Sequence, residues 1–321
     1  MNDPLTLWLR RMSLRGAATL DRLFGPRTPH ALAILMYHRV TPVIPGVAIP
    51  TVNVRPDQFR RQMVGLLALG YHPWPLRTML EQVRQGKPIP PKAMVVTFDD
   101  GYECVYTNAF PVLKELSIPA TIFLATEYLD SEVPFPFDSW AATGKSGVPI
   151  DAWRPLKSVQ AKEMLDSGLI ELGTHTHTHA DYRGRPRDFA EDLHISLGVL
   201  RRRFGLAEVA LAFPSGHFDA PMLRVAREAG CQPGSGRQSG SGLLGALTTV
   251  NGLVRPHHDV FAWNRFTAFD DDTPAMMAAE FSGRYEAIRN FCRPGRTNPT
   301  NRPHIVGNAA LGVPPFDISS S

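Results

Sequence analysis

Cysteine is scarce in this chain: Cys104, Cys231 and Cys292 are the three in 321 residues, widely spaced and odd in number. They imply no disulfide framework and read as ordinary reduced thiols, which points to a cytoplasmic protein. Long apolar runs are missing as well. None approaches the ~20 residues that a membrane-spanning helix needs. Charged residues interrupt the N-terminus and no small-residue cleavage site follows, so no signal peptide is expected. Charge of one sign is only mildly in excess, with 34 Lys and Arg against 30 Asp and Glu. No nucleic-acid fingerprint accompanies it, and the run Arg201–Arg203 reads as a solvated helix face.

The composition that remains is 43% hydrophobic and 20% charged, that of a folded globular chain long enough for one large α/β domain or two ordinary ones. Residues 1–30 form a basic N-terminal segment. Within residues 5–24, Leu5, Trp8, Leu9, Met12, Leu20, Leu23 and Phe24 recur at near-helical spacing with arginines between them. That pattern suits a helix packed on the domain, or one lying on a membrane surface as a peripheral contact. From about 286 to 321, Pro, Asn, Gly and Ser dominate without apolar periodicity, and an irregular tail is expected.

Between these ends, short apolar runs alternate with helical patterns. Strands are expected at 31–37, 93–98, 120–125, 170–173 and 209–213. Helices are expected at 56–69, 78–85, 109–116, 158–167, 189–204 and 221–229, the first stopping at Gly70. Such alternation predicts a parallel sheet with helical crossovers, and polar residues repeatedly sit where strands end. In an α/β barrel those carboxyl ends carry the site.

Two clusters at strand ends carry chemistry. Thr97–Phe98–Asp99–Asp100–Gly101–Tyr102 places adjacent carboxylates where consecutive side chains diverge, so one can hold a cation and the other take a proton. Asp-Asp-Gly is also good turn chemistry, which is the plainer alternative. His175–Thr176–His177–Thr178–His179 is the second cluster. On a helical turn positions four apart share a face, so His175 and His179 can share one metal ion while His177 points elsewhere. Asp100 with these two imidazoles supplies three protein ligands and leaves positions open, as catalytic metal sites do. The donor set suits Zn2+, and Co2+, Ni2+ or Fe2+ also fit.

TFDDGY followed by ELGTHTHTHADY, with PVLKELSIPATIFLAT between them, resembles the polysaccharide deacetylases, the NodB-homology or carbohydrate esterase family 4 group. The resemblance covers about residues 31–269. It implies a distorted (β/α) barrel of about seven parallel strands, here placed at 31–285, and a hydrolase that removes acetyl groups from an N-acetylated glycan. By resemblance, Asp99 is the general base, Asp100, His175 and His179 hold the metal, Thr176 fills the hydroxyl position, and the Tyr102 N–H helps hold the oxyanion.

The chain departs from the family pattern in three places. Where the third motif often reads Arg-x-Pro-Tyr, this chain has Phe213–Pro214–Ser215–Gly216, which keeps Pro214 on the substrate side but lacks the arginine. The Asp-x-x-Asp-Trp motif is not recognisable, and no Leu-x-His follows the barrel. Deacetylases of the poly-N-acetylglucosamine and exopolysaccharide type carry an early Tyr-His at a strand end, which LMYHRV resembles. His38 is therefore the candidate general acid, an imidazole of ordinary pKa near 6.5 being suited to proton delivery near neutral pH. Arg265 resembles a late-strand arginine of the same proteins and is the candidate replacement. Tyr102, Pro214 and Arg265 are thus the candidate substrate-binding and oxyanion residues. The competing readings are a carbohydrate-binding homologue that has lost turnover and a metal-dependent amidohydrolase of another barrel family.

Overall fold

Among the described residues, short runs flanked by turn residues form ten strands in chain order: β1 (Ala33–Tyr37), β2 (Arg39–Val40), β3 (Asn53–Val54), β4 (His72–Pro73), β5 (Ala93–Phe98), β6 (Ala120–Leu124), β7 (Ile170–Thr174), β8 (Glu208–Ala212), β9 (Gly242–Leu247) and β10 (Phe266–Thr267). Among the described residues, seven α-helices alternate with them: α1 (Pro56–Ala68), α2 (Leu76–Arg84), α3 (Phe110–Leu116), α4 (Ser158–Asp166), α5 (Pro186–Phe204), α6 (Ala220–Glu228) and α7 (Pro274–Phe281). This computed structural model describes residues 12, 16, 28, 30–47, 52–138, 148–230 and 242–284. The expected helix within 5–24 and the irregular tail lie outside the described residues, as do Cys231 and Cys292. Among the described residues, no helix is long and apolar enough to cross a membrane.

The main sheet runs β10-β1-β5-β6-β7-β8-β9, every pairing parallel, with β4 flanking the start of β5. The edges of this path meet. Leu247 bridges Trp263, the Thr248 N–H donates to the Trp263 carbonyl at 2.8 Å, and the Trp263 N–H donates to the Ala246 carbonyl at 3.0 Å. The fold is thus a distorted (β/α) barrel whose seven strands close through the irregular stretch leading into β10.

The alternation of strand side chains sorts the core into two layers. Ile34, Val95, Phe123, Ala210, Ala212, Leu247 and Trp263 fill the lumen, joined by Leu76, Met79 and Leu80 of α2. Their strand neighbours Leu35, Val96, Ile122, Leu211 and Ala246 face the outer helices. The Glu171 carboxylate accepts from the Arg77 N–H at 3.2 Å, so α2 docks at the end of the lumen where the strands begin. The opposite end, where strands finish, stays open for chemistry.

Six elements were not evident in the sequence: the two-residue strands β2, β3 and β4, with β9, β10 and α7. β9 reads GLLGAL, without β-branched residues, and β10 is two residues long. Helix α7 buries nearly every side chain, including Glu280, so no polar face marks its period. Its start is set by Thr273, whose side chain accepts from the Met276 N–H.

The lumen packs tightly at Gly173, where an added Cβ would stand 2.5 Å from the Phe123 ring and 2.9 Å from the Ala210 carbonyl oxygen. Gly173→Ala should therefore destabilise the barrel by about 1–3 kcal/mol, the usual cost of overpacking. Urea denaturation reads this directly; an unchanged midpoint would mean that Phe123 yields freely.

Candidate active site

Period-two alternation also delivers the chemistry. The inward row of β5 runs Val95, Thr97, Asp99; that of β7 passes Gly173 to His175; β8 leads through Ala212 to Pro214; and β1 leads through Ile34 toward His38. Residues from four separate strands thus reach one mouth of the barrel.

The turns that follow redirect the chain sharply. Asp100 (φ 70°), Thr176 (φ 65°), His179 (φ 61°) and Ser215 (φ 52°) all occupy left-handed backbone conformations. For β-branched Thr176 this is a costly state, held only because the surroundings over-determine it. These values also correct the expectation that His175–His179 forms a helical turn. The segment is a loop, because left-handed residues at 176 and 179 are incompatible with a right-handed helical turn.

A carboxylate from α5 fixes that loop. Asp192 accepts from the His177 N–H at 2.6 Å, the Thr178 N–H at 3.1 Å, the Thr178 hydroxyl at 2.7 Å and the Tyr182 hydroxyl at 2.6 Å. The loop is further pinned by the His179 N–H donating to Thr176 Oγ1 at 3.1 Å and by the Thr126 N–H donating to the Thr176 carbonyl at 3.3 Å. Sequence reasoning missed Asp192, although a signal existed: an acidic residue on the buried face of α5, among Phe189, Leu193 and Ser196.

Asp100, His175 and His179 converge. Their ligand atoms lie within 4.8 Å of one another, with His175 Nε2 3.4 Å and His179 Nε2 3.3 Å from Asp100 Oδ1. His175 Nδ1 lies 2.8 Å from the Ala212 carbonyl. A carbonyl only accepts, so Nδ1 carries the proton and a neutral His175 aims its Nε2 lone pair at a carboxylate oxygen. Two acceptors face each other there unless a cation or proton lies between them. The charge balance points the same way. Burial works to raise the Asp100 pKa, yet the two histidines hold it well below the ordinary carboxylate range. Burial likewise works to lower His175, and Asp99 and Asp100 override it to raise the imidazole. These three groups form a cradle for positive charge and fit a divalent metal ion, with the second ring nitrogen of His175 anchored as metal-ligating histidines require. The His179 ring is stacked on Phe137, centroids 3.8 Å apart and planes 17° apart, a contact the sequence did not announce.

Asp99 is held differently. Arg265, itself 0% exposed, forks onto it with Nη1 to Oδ1 at 2.6 Å and Nη2 to Oδ2 at 2.7 Å. The same guanidinium donates to Thr97 Oγ1 at 3.2 Å and to the Thr248 carbonyl at 2.9 Å. Burial pushes the Asp99 pKa up, but Arg265, helped by His175, brings it below the ordinary value and keeps it ionised. Asp99 Oδ2 stands 4.0 Å from His175 Nε2, so Asp99 borders the metal cradle.

His38 follows β1, whose inward row leads toward the same mouth. Its pKa is pulled below the ordinary value by burial, against the raising influence of Asp100 and Asp99, which places it in electrostatic range of both carboxylates. That shift corrects the expectation of an unperturbed imidazole. Its Nδ1 is buried without a hydrogen-bond partner. Tyr102 is buried, and its bridge to Pro155 is made through the Glu103 N–H and the Gly101 carbonyl, leaving the Tyr102 N–H outside that pairing. Pro214 is buried in the turn Pro214–Gly216, beside the Ala212 carbonyl that anchors His175.

Comparison with known proteins agrees with this geometry. Residues 86–234 match the family model described as polysaccharide deacetylase. The poly-beta-1,6-N-acetyl-D-glucosamine N-deacetylase of Escherichia coli (strain K12) is 34% identical over 125 residues, covering 39% of this chain and 18% of that protein. The chain therefore spans under a fifth of that relative's length. The putative polysaccharide deacetylase YxkH of Bacillus subtilis is 27% identical over 262 residues, covering 81% of this chain and 78% of that protein. Among solved structures, IcaB from Ammonifex degensii superposes with a TM-score of 0.61 at 25% identity, covering 78% of this chain and 97% of that one. Streptococcus pyogenes deacetylase PplD in complex with acetate gives 0.62 at 21% identity, covering 79% and 99%, and shares the fold. Residues 86–234 are thus similar to the polysaccharide deacetylase family.

Removing the loop anchor should be costly. Asp192→Ala leaves the His177 and Thr178 N–H groups without their acceptor inside the protein, which at ~1–3 kcal/mol for each such group predicts a loss of about 2–6 kcal/mol. Chemical denaturation of the metal-free protein measures it. A loss under ~0.5 kcal/mol would mean that the Thr176 contacts with His179 and Thr126 hold the loop unaided.

Proposed function

We propose that this chain is a metal-dependent hydrolase that removes N-acetyl groups from an amino-sugar polysaccharide or its precursor. One observation carries the reading: an Asp–His–His cradle for a cation lies beside a separate carboxylate locked by a buried arginine. A purely structural metal site would have no use for the second carboxylate. The named activity of the Escherichia coli relative supports an N-acetylglucosamine polymer as the substrate class.

Asp100, His175 and His179 would hold one divalent ion, Zn2+ or another borderline cation such as Co2+, Ni2+ or Fe2+. When bound, such an ion polarises the acetyl carbonyl and lowers the pKa of water. Asp99 then serves as the general base that accepts a proton from the attacking water. The Arg265 fork keeps both its oxygens oriented and the carboxylate ionised until that moment. The Tyr102 N–H, free of the Pro155 pairing, donates to the developing oxyanion. Pro214 walls the acetyl group. His38 donates to the departing amine; its lowered pKa makes the imidazolium the stronger acid once protonated. Arg265 is committed to Asp99, Thr97 and Thr248, so it serves as the orienter of the base.

Two substitutions separate ligand from base. His179→Ala should lose metal and acetate release together. Asp99→Asn should keep metal, measured by elemental analysis, while turnover falls ~10²–10⁴-fold, the usual cost of removing a general base. Full metal occupancy in His179→Ala, or loss of metal in Asp99→Asn, would break these assignments. An absence of acetate release from N-acetylglucosamine oligomers by the metal-loaded wild type would sink the reading itself.

The acid can be tested by leaving group. An amide needs its nitrogen protonated to depart, whereas an aryl ester releases a far weaker base. His38→Ala should bind metal normally and lose amide hydrolysis by ~10²-fold or more, with aryl acetate hydrolysis much less affected. Equal losses on both substrates would remove His38 from the acid role.

A further inference from the structure

Arg39 and Asp138 form an ion pair whose side chains are 3% and 0% exposed. The Tyr102 hydroxyl sits between them, accepting from Arg39 Nη2 at 3.0 Å and donating to Asp138 Oδ2 at 2.8 Å. The guanidinium also lies 4.6 Å from the centroid of the Tyr102 ring. Well-packed apolar residues commonly stabilise a fold as well as a buried ion pair does, because desolvation offsets the attraction. Stability alone therefore does not account for this triad.

Its chain neighbours do. Arg39 directly follows His38, Tyr102 follows the Asp99–Asp100–Gly101 turn, and Asp138 directly follows Phe137. From Tyr102 a row of aromatic rings leads back to the metal cradle. Tyr102 meets Phe135 edge to face at 4.9 Å, Phe135 stacks on Phe137 at 4.9 Å, and Phe137 stacks on His179 at 3.8 Å. The triad thus ties together three segments that each carry one working part of the mouth.

We infer that Arg39, Tyr102 and Asp138 are positioning residues that fix His38 relative to His179, and so set the distance between the proton donor and the metal ligands. The inference rests on the deacetylase reading for what His38 does, and on geometry alone for what the triad holds. Arg39–Asp138 ties the segment that carries His38 to the loop that presses Phe137 on His179. A displacement of about 1 Å at such a position can cost ~10²-fold in rate.

The decisive protein is the full chain carrying R39M and D138L together, which removes both charges and leaves neither buried alone. D138N by itself strands a guanidinium in the interior and is expected to fold poorly, so the double substitution carries the test. It should fold with a urea midpoint near the wild-type value and bind Co2+ in a one-to-one ratio. Its visible Co2+ spectrum should differ from wild type, because the Phe137 contact on His179 is no longer fixed. Amide turnover should fall ~10–100-fold while aryl acetate hydrolysis falls less, and adding H38A should bring the amide rate down only to that of H38A alone, the two losses not multiplying. R39K, which keeps a cation beside Tyr102 and Asp138, should recover most of the amide-to-ester ratio. A double variant with both a wild-type Co2+ spectrum and a wild-type amide-to-ester ratio overturns the inference, whatever its midpoint. If the wild type releases no acetate, the deacetylase reading fails on its own, and the Co2+ spectrum still decides the triad.

Discussion

A guanidinium that does not meet water holds both the barrel and its chemistry. Arg265 is 0% exposed, and each of its contacts crosses a seam. It grips the Thr248 carbonyl just beyond β9 and the Thr97 hydroxyl within β5, while its fork closes on Asp99 at the end of β5. It lies on the irregular stretch through which the ring of strands closes. Burying such a charge is tolerable only when a partner meets it with good geometry, and a bidentate carboxylate is the best available. The same guanidinium thus serves both the closure of the lumen and the ionisation of Asp99.

The same economy appears at the strand ends. A strand leaving the barrel carries its inward residue to the mouth, but the next residue points away unless the backbone turns abruptly. Left-handed conformations at Asp100, Thr176 and His179 make those turns. They let Asp99 and Asp100 differ in surroundings though adjacent: one is locked by an arginine, the other lies between two imidazoles. Non-glycine residues adopt such conformations at a cost, which the hydrogen bonds of Asp192 to the loop at 177–178 offset. The fold itself thus orients the cradle, with Nδ1 of His175 committed to a carbonyl.

Much of this was legible in the sequence because it rests on local patterns. The runs AMVVTF, ATIFL and VALA declare buried parallel strands, and Gly70 and Gly205 stop helices at their expected ends. The pair of clusters at 99–102 and 175–179 needs only residue type and spacing. What escaped was set by partners distant in the chain. β9, with two glycines among its six residues, is a strand because β8 pairs with it. Phe137 has no meaning until the fold lays it on His179, and the loop at 175–179 looks helical by spacing until Asp192 is seen holding it otherwise.

The arginine shows how far a motif can be trusted as a position and how far only as a role. The stretch Phe213–Pro214–Ser215–Gly216 lacks the arginine that its family counterpart often carries, and in sequence this reads as a loss. In three dimensions a guanidinium nonetheless grips Asp99, brought from Arg265 on the far side of the closing stretch. A parallel barrel makes this substitution available, because several strand ends border the same few cubic ångströms of the mouth. The requirement is a buried cation in register with both oxygens of Asp99, and any strand whose inward row ends there can supply it. Absence of a residue from its customary motif is thus weak grounds for inferring absence of its function in this fold. The inward parity of the remaining strands is the better guide to where the replacement lies.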